Sequence, residues 1–279
     1  MTKTSCGAIL LILAAACGAD RSPPPLPAPV ASASASAAPV VSAAASASAL
    51  PATPPKPPLA ELIDKTLMDI EAAWMAHDAQ KLAAAYTADV EVRITSPADA
   101  WSPLKKPAAE AQLALLFAAF ADGRLTTTRT LRKGNVVAAE GYFTGSTAGK
   151  KVGCPVVTLS WFDEGGLVKQ QHVVFDPGTI LGQLGKGDRK TKVRAVDAIP
   201  TAPIVNVTSV GAPDEARNVD AVKAYYATSA AAKATSVGEV WGVGTFVVAE
   251  LTVASARVVD VFEVVGGKIR PISSYGPSR

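Results

Sequence analysis

The run Gly134-Asn135-Val136-Val137-Ala138-Ala139-Glu140 returns later in the chain as Gly244-Thr245-Phe246-Val247-Val248-Ala249-Glu250. In both places it continues into alternating β-rich sequence, a Gly-Gly turn (Gly165-Gly166 and Gly266-Gly267) and a last strand ending at an aromatic, Phe175 or Tyr275. A self-match that keeps this order constrains the fold strongly, because each copy has to bury one face of the same kind of sheet. Two related domains are expected, joined around Leu184 to Pro213. The stretch between glutamate and Gly-Gly is shorter in the second copy, so that copy is abbreviated.

Ahead of the first copy, Leu62, Ile63, Leu67, Ile70 and Trp74 recur at helical spacing and predict a helix over Leu59 to Ala76. A second helix is expected over Ala79 to Tyr86 with Asp78 as N-cap, then a strand over Val90 to Thr95. A third helix over Ala108 to Ala121 is stopped by Asp122-Gly123. Strands follow over Leu125 to Arg132, Val136 to Thr144, Val156 to Phe162 and Leu167 to Phe175. The second copy offers a helix over Ala216 to Ala232 and strands over Glu239 to Trp241, Thr245 to Ala254, Arg257 to Val264 and Lys268 to Ser274. Helices first and antiparallel strands afterwards make an α+β protein with helices on one face of a curved sheet.

The N-terminal region reads as an address and a spacer. Lys3, the apolar Gly7 to Leu13 and the small residues up to Cys17 have the order of a secretory signal peptide over residues 1–16. The small residues before Cys17 resemble a bacterial lipobox, with Ala14 where leucine is usual, and the resemblance implies that Cys17 becomes a lipidated N-terminus; the alternatives are an ordinary secretory signal cut near Ala16 or an uncleaved apolar start. Gly18, where retention signals place Asp, implies a lipid anchor in the cell envelope, at the outer rather than the inner membrane. Residues 17–58 are then a tether, almost all Pro, Ala and Ser from Arg21 onward, without the large side chains that offset the entropy of folding. The alternative for such a stalk is mucin-like glycosylation. The 49% apolar content therefore reports attachment as much as core. No apolar run approaches the roughly 20 residues that span a bilayer, so the membrane is met through the anchor alone.

A formal charge of +3 from 27 Lys+Arg and 24 Asp+Glu falls short of the basic stripe that a nucleic acid needs. The one basic cluster, Lys186 to Arg194, reads as a solvated connector over residues 186–213. Three cysteines and two histidines supply no zinc spacing. Gly242-Val243-Gly244 opens no dinucleotide motif. Neither a metal nor a cofactor is expected.

Several runs carry a family resemblance: Trp74-Met75-Ala76-His77-Asp78, Tyr86-Thr87-Ala88-Asp89-Val90, Glu140-Gly141-Tyr142-Phe143-Thr144-Gly145, and Phe175-Asp176 leading to Leu181-Gly182-Gln183-Leu184-Gly185. In order and spacing they resemble the SnoaL-like polyketide cyclases, within the superfamily that shares the nuclear transport factor two fold. The resemblance covers residues 59–185 well and the β half of residues 214–279. It implies two cone-like domains, the second abbreviated, each with helices on a strongly curved antiparallel sheet around an apolar pocket. By motif order it also implies that Asp176 holds the place of the family's base.

Period-2 alternation in the last strand of the first copy puts Val168, Gln170, His172, Val174 and Asp176 on one face. If that face points into the cone, His172 and Asp176 are the candidates for acid/base work on an enolisable carbon. Four residues along a strand is about 13 Å, too far for a direct hydrogen bond between them. Otherwise Asp176 is a turn acid or helix cap, and His172 is a half-buried strand residue. Trp74, Tyr86, Glu140, Tyr142 and Gln170 are the candidate pocket lining; aromatics at such spacings also serve as core, and a glutamate on a strand also serves as an ion-pair partner. His77 is expected to end a helix, and Cys154 to be an inert packed thiol. Three functions remain: an anchored protein that binds a small apolar ligand without catalysis, a SnoaL-like cyclase or isomerase, and a non-catalytic interaction module, whether a homodimer or two domains docked through their sheets.

Overall fold

The computed structural model describes residues 57–95, 102–186, 204–228, 236–253 and 256–277. The signal peptide, Cys17, the tether up to Lys56, Trp101 and the basic run beyond Lys186 lie outside these residues. The described part is α+β, as its pattern requires.

Helix α1 (Leu59–Met75) lays Ile63, Thr66 and Ala73 into the core. It ends where His77 takes a positive φ of 51°. Asp78 then caps α2 (Ala79–Ala84) by accepting from the Lys81 amide at 2.9 Å. The chain continues as strand β1 (Tyr86–Ile94), and the third helix is α3 (Lys106–Ala119). Strands β2 (Arg124–Lys133), β3 (Val136–Thr147), β4 (Lys150–Phe162) and β5 (Val168–Phe175) form an antiparallel meander. After β5 comes the short helix α4 (Pro177–Gln183).

Several strands depart from expectation: β1 starts at Tyr86 rather than Val90 and pairs in parallel with β5, which makes the sheet mixed rather than antiparallel, and two further departures lie in β4 and the connector. β4 begins at Lys150 rather than Val156, because Ala148 and Gly149, at φ 49° and 75°, close a tight turn from β3. Pro155 falls inside the strand, which its place tolerates: β5 pairs only from Val156 onward, so no strand requires its missing amide, and the Gln183 side chain serves the backbone of Gly153 instead. The second departure is β6 (Val205–Thr208), four residues from the expected connector that pair in parallel with β2. The first sheet thus runs β1-β5-β4-β3-β2-β6.

The second copy contributes helix α5 (Pro213–Thr228) and strands β7 (Ser236–Val243), β8 (Phe246–Val253), β9 (Ala256–Val265) and β10 (Lys268–Tyr275), in the order β10-β9-β8-β7. Glu215 fastens α5 to the β7–β8 turn by accepting from the Gly244 amide at 2.9 Å, and Ser209 donates to the same carboxylate.

Each sheet is apolar on both faces. On the first, Val137, Phe162 and Val168 pack with α1 to α3, and Phe143, Cys154 and Val156 pack with Phe120, Ile180 and Leu184. On the second, Val247, Leu251 and Phe262 pack under Val219, Val222 and Tyr226 of α5. The remaining faces meet each other: Leu131, Ala138, Val157, Leu159 and Val174 of the first sheet form one cluster with Trp241, Val243, Val248, Val259, Val261 and Tyr275 of the second. No helix among the described residues is long and apolar enough to cross a membrane.

Candidate functional site

The bulge in β5 decides which way the candidate residues point. Trp161 pairs with Gln170 and the next residue, Phe162, pairs with Val168, so Lys169 is extra. Alternation is broken there: Val168 joins the core under the helices, and Val174 joins the cluster between the sheets. His172 lies on the side of Val174 and faces the second sheet. The expected common face from Val168 to Asp176 is thereby split, since one inserted residue reverses every side chain on one side of it.

His172 is 6% exposed. Its Nδ1–H donates to Glu250 Oε1 of the second sheet at 2.8 Å, and its Nε2 accepts from the Gln170 amide at 2.9 Å. The Trp161 ring stands edge-on to the imidazole, with centroids 4.8 Å apart. Both ring nitrogens are engaged, which leaves neither to carry a substrate proton.

Glu140 occupies the corresponding place in the other direction. Arg129 Nη1 donates to its Oε2 at 2.6 Å, and Ser273 Oγ of the second sheet donates to its Oε1 at 2.7 Å. The Arg129 guanidinium lies over the Phe246 ring, 5.0 Å from its centre. Strand register makes the two bonds reciprocal. Glu140 is paired with Val157 as Glu250 is with Val259, and Leu159 with His172 as Val261 is with Ser273. Each sheet presents a glutamate to the other, and receives it at the same strand position.

Burial pushes the Glu140 carboxyl above its ordinary range, against the hydrogen bond from Ser273, the charge of Arg129 and a hydrogen bond from Tyr275. An acid whose pKa is higher folded than unfolded holds its proton more tightly in the native state. Its favourable contribution is present below the unfolded value, about 4.3, and is lost as pH rises through the folded value. Glu140→Gln removes that titration. Urea midpoints measured from pH 4 to pH 7 are therefore expected to move in the variant's favour, relative to the parent, as pH rises.

Asp176 lies at the end of β5 as the cap of α4. Its two oxygens accept from the Gly178 amide at 2.9 Å and from Thr179 Oγ1 at 2.8 Å. Its charge adds to the burial that lifts the nearby Cys154 thiol to about 12, so that sulfur is held as an inert thiol. His77 stacks on Phe117 with centroids 5.0 Å apart, and its Nε2–H donates to the Gly123 carbonyl at 2.7 Å.

The expected pocket lining divides between the two faces. Trp74 and Tyr86 lie inside the cone; Glu140 and Gln170 lie between the sheets, and the buried Tyr142 shares strand parity with Glu140. Aromatic pairs and a polar chain pack against the helices on this face. Trp74 meets Phe117 edge-on at 5.0 Å, Phe120 meets Phe143 edge-on at 5.4 Å, and Tyr86 donates to Gln171 Oε1 at 2.8 Å, whose amide donates to Ser160 Oγ at 3.1 Å. Burial raises the Tyr86 pKa, which keeps its proton in place for this bond. An open cleft of about 800 Å³ lies elsewhere, where the start of α1 meets the ends of β2 and β4; Leu59, Arg132, Asn135, Phe162, Asp163 and Lys169 line it. Among the described residues no three His, Cys, Asp or Glu side chains converge as a metal set.

Sequence reasoning missed Arg129, Gln171, Ser160, Ser273 and Tyr275. Only the glutamate shared by the two repeat copies signalled the contact between the sheets.

Residues 69–170 match the SnoaL-like domain family model. Among solved structures, the chain is similar to wild-type IdmH, a suggested polyketide cyclase from Streptomyces antibioticus, at 18% identity and TM-score 0.40, covering 44% of this chain and 98% of that one. It is similar to a protein with a ketosteroid isomerase-like fold from Catenulispora acidiphila, in complex with trimethylamine, at 18% identity and TM-score 0.40 over 46% of this chain and 98% of that one. An NTF2-like protein of unknown function from Burkholderia pseudomallei is similar at 15% identity and TM-score 0.40 over 44% and 97%. No curated protein matches the chain.

Proposed function

We propose that this chain is an exported, lipid-anchored protein in which two SnoaL-like units, the second abbreviated, form one body that holds a small ligand without turning it over. The observation that carries this reading is the engagement of His172 with Glu250 and Gln170 in a buried contact between two sheets. The Asp176 carboxylate, spent on the first turn of α4, supports it further. A cyclase or isomerase needs a titratable group facing its substrate, and these two groups face protein. The ligand is placed in the cleft beside Leu59, whose volume falls in the range of small-molecule sites. Cys17 supplies the anchor and the Pro/Ala/Ser segment the spacer.

Native mass spectrometry of the mature chain, extracted from its own host in mild detergent, tests this. The expected result is a bound molecule of defined mass, retained unchanged by His172→Ala and Asp176→Ala. A ligand that the parent converts to a product, and either variant does not, contradicts the reading; so does a chain that carries nothing.

A further inference from the structure

The faces that meet between the sheets hold different side chains at matched positions. Leu131 pairs with Ala138 as Trp241 pairs with Val248, Val157 with Val174 as Val259 with Tyr275, and Val136 and Phe246 start the matched strands β3 and β8. The first sheet therefore carries Ala138, Val174, Leu131 and Val136 where the second carries Val248, Tyr275, Trp241 and Phe246, and the second is larger each time. Leu159 against Val261, His172 against Ser273 and Trp161 against Glu263 run the other way. With the hydrogen bonds exchanged reciprocally, the contact has the plan of a two-fold pair built from two unequal halves.

Unequal halves discriminate between partners. A first sheet laid on another first sheet sets the small residues on both sides, leaves voids, and takes Phe246 from Arg129 and Ser273 from Glu140. A second sheet laid on another second sheet doubles Trp241, Tyr275 and Phe246, and leaves Glu250 without an imidazole. We propose that these faces are matched to each other and not to themselves: the first sheet accepts the second sheet of this chain and rejects a second copy of itself. Specificity is then a difference in fit between the unlike and like pairs, built on one shared plan. It goes beyond the ligand reading and does not depend on it.

The test uses the full chain with a protease site inserted between the exposed Val210 and Gly211, so that β6 stays with the first sheet, and cut after folding. Native mass spectrometry at low micromolar concentration is expected to show the two fragments as a one-to-one complex. Mixing with isotope-labelled cut chain is expected to give exchanged unlike pairs only. Two first fragments together, two second fragments together, or separated fragments each overturn the proposal. Trp241→Leu with Tyr275→Val gives the second face the residues of the first, and is expected to weaken the one-to-one complex at least tenfold. Unchanged affinity in that double variant counts against size matching as the cause.

Discussion

Glu140→Ala is expected to lower the unfolding free energy by about 3 to 5 kcal/mol, the usual cost of breaking a buried ion pair from one side. Arg129 and Glu140 are 18% and 3% exposed as side chains. Deleting the carboxylate leaves the guanidinium with a ring beneath it and no counter-charge, and strips Ser273 of its acceptor. Most of the loss comes from that stranded charge rather than from the bond to Ser273, so Ser273→Ala is expected to cost only about 1 kcal/mol. Urea unfolding of the two variants separates these terms. A loss below about 1 kcal/mol for Glu140→Ala would mean that water reaches the pair, contrary to the packing of one sheet on the other.

Phe120→Ala is expected to cost a similar amount, about 3 to 5 kcal/mol, for a different reason. Phe120 is 1% exposed and stands edge-on to Phe143, and Gly145 presents only backbone to it, since a side chain there would come within 3.1 Å of the ring. Removing the ring opens a hole walled by Phe143, Val152, Ile180 and Leu184, all apolar. Such a hole stays dry and accepts a small hydrocarbon. Benzene is therefore expected to raise the melting temperature of Phe120→Ala and to leave that of the parent unchanged. Equal responses would show that the parent cone already has room.

Much of the architecture was legible. Helical spacing gives α1 almost to its ends, Asp78 is the cap its place predicts, and period-2 alternation marks strands of both sheets. The direction of β5 was not legible, because Lys169 looks like any strand residue and its extra place appears only in the pairing with β4. That one residue sends His172 to the second sheet and leaves Gln171 on the side of Tyr86. β6 escaped for a different reason: Val205-Asn206-Val207-Thr208 does alternate, but it is only four residues long, largely exposed, and lies in a stretch read as a connector. The contact between the sheets left a trace in runs such as Val156-Val157 and Val258-Val259, apolar on both faces as strands covered on both sides are. Nothing in those runs told which surface covered them.

The most direct test of the account is a double-mutant cycle on unfolding with His172→Ala, Glu250→Ala and the pair together. If the imidazole of the first sheet is bonded to the carboxylate of the second, the cycle gives a coupling of about 1 kcal/mol or more. Additive losses, with a coupling below about 0.3 kcal/mol, would contradict it and return His172 to the set of side chains free to meet a substrate.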